Sequence, residues 1–165
     1  MTQALDLILS DDQNLKELLT VTVETTRQTL KCDRVIVYSA SDLSNPLVLA
    51  ESVDAQYASI LGTTIKDPFL DGEHLEMYCY GLPVAINDIY TADVNKSDLE
   101  DIEKLRIKSM AIAPIAVENK LVALLVAHQC SQLQTWHPEA VNFLAQRADT
   151  VGFALLNILN PDQPN

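Results

Sequence analysis

The chain has 165 residues, a mass of 18.2 kDa and a formal charge of -12, with a pI near 4.4. That length suits one domain with a sizeable core, and 48% hydrophobic with 21% charged residues is a globular rather than a disordered composition. The acidic excess argues against nucleic acid and against an anionic membrane surface, both of which select clustered Lys and Arg, but not against a small ligand in a local pocket.

Met1–Leu9 is weakly helical, and Ser10-Asp-Asp-Gln13 then reads as a capping box, with a Ser cap and Gln at the third helical position. Leu15, Leu18, Leu19, Val23 and Leu30 follow at near-helical spacing, which predicts an amphipathic helix over residues 11–31. Its Thr-rich middle works against that helix. Arg34–Ser39 and Leu47–Val53 read as strands of a hairpin, joined by Ser41–Pro46 with its Ser, Asp, Asn and Pro content. From Asp54 to Asp93 the pattern is less regular. It holds a predicted helix over Gly72–Tyr80, stopped at Gly81, and a short strand over Pro83–Ile86.

Ser97-Asp-Leu-Glu100 repeats the capping-box pattern, with Asp98 at the positive helix end, and opens an acidic helical stretch running to Arg106. Ser109–Val117 and Leu121–Gln129 flank the polar turn Glu118-Asn119-Lys120, the pattern of a central antiparallel hairpin. Pro138 and Glu139 suit the first turn of a last helix, Pro138–Ile158. Along it Val141, Leu144, Ala148, Val151, Leu155 and Ile158 form a heptad-like seam, read as a surface for dimerisation or partner contact. A frayed tail is expected over 159–165.

A strand pair, a long loop and a second strand pair, with a helix at each end, predict an α+β fold. One antiparallel sheet of five to six strands would carry the terminal helices on one face and pocket-forming loops and short helices on the other. The expected division is an N-terminal helical extension over 1–14 and a single domain over 15–158. Three widely spaced cysteines (Cys32, Cys79 and Cys130) suit reduced thiols, no apolar run reaches the roughly 18 residues of a membrane span, and no secretory signal is visible. The cytoplasm is the expected location. His128 and Cys130 share one face of a strand, but a metal would need two further ligands that no motif supplies. No acid/base pair, phosphate loop or nucleophile triad is present in the sequence, so no enzyme is expected.

The pieces Cys-Asp-Arg-Val-Ile-Val-Tyr (32–38), Leu-Ala-Glu-Ser-Val (49–53), Leu-Gly-Thr-Thr-Ile-Lys-Asp-Pro (61–68), Ile-Asn-Asp-Ile-Tyr (86–90) and Ala-His-Gln-Cys-Ser (127–131), with Trp136, occur in one order. In that order the chain resembles a GAF domain of the cyanobacteriochrome, phytochrome-related type. The resemblance implies a cytosolic sensory role in cyanobacterial signal transduction, with terminal helices that pass signals to a homodimer partner or a signalling protein. Members hold a linear tetrapyrrole through a Cys followed by a His, positions that fall here on Ser97 and Asp98. Where some members carry a second Cys, Phe69 and Leu70 follow Asp67-Pro68. A Ser hydroxyl cannot form the thioether.

The same resemblance makes Asp67 the carboxylate that hydrogen-bonds pyrrole nitrogens in members that use it. It makes His128 a pocket His, and Ile86 and Tyr90 lining of the same cavity. Asp67-Pro68 also reads, from turn chemistry alone, as a turn device. The reading is a non-catalytic sensory domain, degenerate for covalent bilin binding and without a covalently bound cofactor. The alternatives are a bilin photoreceptor holding its chromophore non-covalently or through Cys79, and an enzyme resembling free methionine sulfoxide reductases. The last needs clustered pocket cysteines, a pattern that Cys32, Cys79 and Cys130 do not match.

Overall fold

The strands β1 (Arg34–Ser39), β2 (Val48–Val53), β3 (Val84–Ile86), β4 (Ser109–Val117) and β5 (Lys120–Gln129) form one antiparallel sheet in the order β2-β1-β5-β4-β3. This is the arrangement in a computed structural model, which describes residues 12–160. The helices are α1 (Gln13–Leu30), α2 (Gly72–Cys79), α3 (Glu100–Lys104) and α4 (Pro138–Leu159). The fold is the expected α+β sandwich with five strands. The helical reading of Met1–Leu9, the Ser10 cap and the tail from 161 onward lie outside the described residues.

Side-chain alternation along the strands divides the core in two. Val35 and Val37 of β1, with Ala123, Leu125 and Ala127 of β5, face the terminal helices; Ile36, Tyr38, Leu124 and Val126 face the loops. Two long helices cover the first face. Leu15, Leu19 and Val23 of α1, which lies on β1 and β2, join one cluster with Leu144, Ala148, Val151 and Leu155 of α4, which lies on β4 and its Ala111, Ala113 and Ile115. At 0–2% exposure, Leu144, Ala148, Val151 and Leu155 are core of a single chain, which corrects their reading as an outward dimer seam. Ile158 packs, partly buried, on the same cluster. Three- and four-residue spacing marks a continuous apolar stripe, and that stripe fits the chain's own sheet as readily as a second helix. The outward helix faces instead expose Val21 and Phe153.

Local chemistry sets the element ends. Asp12 stands at the N-cap of α1, its carboxylate accepting the Leu15 amide at 3.0 Å. Lys31 closes the helix in the left-handed region at φ 54°, its amide donating to the Arg27 carbonyl at 2.8 Å. The β4–β5 turn places both Glu118 (φ 52°) and Asn119 (φ 64°) at positive φ, the backbone that a tight hairpin matched to strand twist requires.

Gly152 allows the closest helix–sheet approach. A Cβ there would stand 2.4 Å from the Ala116 carbonyl oxygen, beside the register shift at Ile115/Ala116 of β4. The obstacle is backbone, which cannot rotate away. Gly152→Ala gains up to about 1 kcal/mol of helix propensity, but the forced shift costs more. A net loss of about 1–3 kcal/mol is expected in urea unfolding. A variant as stable as the parent would show that α4 slides freely on the sheet.

Candidate functional site

The loop-side face of the sheet is largely filled by protein. Ile36, Tyr38, Phe69, Ile89, Met110 and Leu124 are fully buried there, under α2, α3 and the connecting loops. The open space lies at the edge of this packing, in a groove of about 600 Å³ between the Lys66–Leu75 segment and the Asp93–Asp98 segment. Its apolar wall is Leu43, Pro68, Leu70, Leu75 and Val94; its carboxylates are Asp67, Asp71, Glu73, Asp93 and Asp98; Lys66 and His74 are its basic side chains.

Asp67 serves the turn and the groove together. It caps the 3-10 turn Pro68–Leu70, its Oδ1 accepting the Phe69 amide at 2.9 Å, while Oδ2 accepts the Tyr38 hydroxyl at 3.2 Å. Its residue exposure is 4%, and burial pushes the carboxyl from its ordinary 3.8 up to about 6, with the two hydrogen bonds opposing that rise. The neighbouring Lys66 turns away from it. The Lys66 ammonium meets Asp98 at 2.9 Å, and the Lys66 amide donates to Asp101 at 2.8 Å, so the groove's two walls are joined at the rim. Both side chains of that ion pair are solvent-exposed, so water and salt screen it and it adds little to stability.

Ser97 is not a cap. Asn95 is, accepting the Ser97 amide at 3.1 Å and the Ser97 hydroxyl at 2.9 Å on its Oδ1, and α3 then starts at Glu100 without a side-chain cap. Asn and Ser have similar cap preference, and the Asn lies where the chain is still extended. Asp98 lines the groove; Ser97 does not.

The remaining candidates are not gathered around that space. Ile86 is buried in the loop-side core, and Tyr90 is exposed. Neither lines the groove. His128 is fully buried, with no hydrogen-bond partner for either ring nitrogen among the described residues. Burial first, and then the charge of Arg34 on the neighbouring strand, hold its pKa well below the usual value, so the ring is neutral. Cys79 is exposed at the far end of α2, whose first turn, not its last, lines the groove. Burial raises the Cys32 thiol to about 12 and the Cys130 thiol to about 11, which leaves both protonated and weakly nucleophilic.

Sequence reasoning passed over a buried ion pair. Arg34 Nε lies 3.2 Å from Glu51 Oε2, with side chains 1% and 3% exposed. Arg34 Nη2 donates to the Ala58 carbonyl at 2.9 Å, and Glu51 accepts the Ile60 amide at 3.0 Å and the Ser59 hydroxyl. These bonds pin the loop after β2 to β1 and β2. A charged residue in each of two adjacent strands was the available signal.

Comparison with known proteins agrees with this architecture. The GAF domain model matches residues 14–155. A putative methyl-accepting chemotaxis protein of Synechocystis is 34% identical over 151 residues, covering 92% of this chain but only 15% of that protein's length. An uncharacterised protein of Picosynechococcus is 32% identical over 135 residues, 82% of this chain and 83% of that protein. Among solved structures, the blue-light absorbing form of the Thermosynechococcus elongatus PixJ GAF domain superposes with a TM-score of 0.83 at 27% identity, covering 92% of this chain and 90% of that one.

Proposed function

Because this chain belongs to the GAF domain family, we propose that it is a non-catalytic sensory module that carries no thioether-linked tetrapyrrole and answers instead to a small ligand held reversibly at the groove. The observation that carries this reading is the absence of a thiol from the groove lining among the described residues. The Ser97 hydroxyl is committed to Asn95, Phe69 and Leu70 are core, Cys32 and Cys130 are buried, and Cys79 lies outside. In this reading the output passes through α1 and α4 to a second copy or a signalling partner. With the α4 stripe consumed in the core, contact runs through the outward helix faces.

Coexpression with bilin synthesis tests the proposal. Any visible absorption is expected to disappear on acid denaturation, because chromophore without a thioether dissociates when the fold is lost. Colour that survives denaturation would overturn the reading, and its loss in Cys79→Ser would locate the bond. The second reading, a photoreceptor with non-covalent bilin, draws support from the light-absorbing PixJ neighbour and from Asp67 at the groove.

A further inference from the structure

Arg34 of β1 and His128 of β5 are direct register partners, so their side chains share one face of the sheet. It is the loop-side face, which Ile36 and Val126 continue. Arg34 is 1% and His128 0% exposed. Arg34 commits Nε to Glu51 and Nη2 to the Ala58 carbonyl. Its Nη1 has no partner among the described residues, and neither has either ring nitrogen of His128. The two side chains therefore do not bond each other. On its other side His128 meets the register position of Met110, whose thioether is only a weak acceptor. Polar nitrogens buried in this way forfeit their hydration with nothing in return.

The groups themselves select what would satisfy them. Nη1 only donates, whereas a neutral imidazole offers one N–H and one bare nitrogen. The occupant must accept from Arg34 and be able to meet the ring through either nitrogen, so it needs both lone pairs and hydrogens. Glu51 already balances the guanidinium, and an anion would be repelled by that carboxylate. Fully buried Ile36, Met110 and Val126 on the same face favour a small molecule. The Ala58 carbonyl, 2.9 Å from Nη2, keeps a second lone pair for a further donor.

We propose that this cross-strand position holds one internal water molecule, accepting from Arg34 Nη1, hydrogen-bonded to a His128 ring nitrogen and donating to the Ala58 carbonyl. About three protein hydrogen bonds are what a structural internal water makes. Arg34 and Glu51 already tie the loop over residues 54–60 to β1 and β2; the water fastens it to β5 at the centre of the sheet. His128 is then a positioning residue that acts on this loop through the water. The site stands apart from the groove, whose lining includes neither Arg34 nor His128.

Water-selective NOE and ROE spectra of the whole chain are the test. Cross-peaks from the His128 ring protons to water are expected, with the sign of a bound water rather than of exchanging surface solvent. Hydrogen exchange supplies the second readout, at the Tyr57 and Ile60 amides, which bond to the Asp54 carbonyl and to Glu51. Their exchange should quicken about tenfold in His128→Leu, which fills the space without a polar atom. It should stay near the parent rate in His128→Gln, whose amide both donates and accepts. The parent spectra decide alone if His128→Leu does not fold. No bound-water signal at His128, or a single loop exchange rate in the Leu and Gln variants, would overturn the proposal.

Discussion

Arg34→Met is expected to cost about 3–5 kcal/mol in urea unfolding, among the largest losses for any single substitution here. The figure does not measure the attraction between Arg34 and Glu51. It measures what remains after the change: a Glu51 carboxylate at 3% exposure with its cation gone, and an Ala58 carbonyl without its donor. A companion change separates these contributions. In the double variant Arg34→Met/Glu51→Gln the buried charge is removed, and the amide oxygen can still accept from the Ile60 amide. Most of the lost stability should return, because an unpaired buried charge costs far more than an imperfectly bonded neutral amide. If Arg34→Met alone costs less than about 1 kcal/mol, the pair is solvated and behaves as a surface bridge.

That pair also marks where sequence reading stopped. β4 was legible to both ends, and β1 likewise, because turn residues bound them and apolar periodicity fills them. The cap before α3 was displaced by two residues, to Asn95 from Ser97. That neighbourhood holds two residue types with similar cap preference, and only the backbone decides which one is still extended. The α4 stripe was read correctly as apolar and wrongly as external, since spacing states that a face is covered but not what covers it. Asp67 and Asp98 were legible as groove residues through the family resemblance. Their partners were not. Tyr38 lies 29 positions from Asp67 and Lys66 lies 32 from Asp98, so both contacts depend on how loops settle over the sheet.

Asp67→Asn is expected to make the protein more stable at pH 8 and to leave it nearly unchanged at pH 4. Burial raises the folded carboxyl above its ordinary 3.8 to about 6, so the folded state binds the proton more tightly than the unfolded chain does. Stability associated with this group is therefore fully present below about pH 3.8 and is lost as pH rises through 6. The ionised form at pH 8 is disfavoured by an amount on the order of 3 kcal/mol. Asn removes that penalty and keeps the geometry: its Oδ1 can still accept the Phe69 amide, and its Nδ2 can donate to the Tyr38 oxygen. A gain of about 1–3 kcal/mol at pH 8, shrinking toward zero at pH 4, is the expected difference between parallel urea titrations. An Asn variant less stable than the parent at both pH values would mean that the turn requires the carboxylate itself.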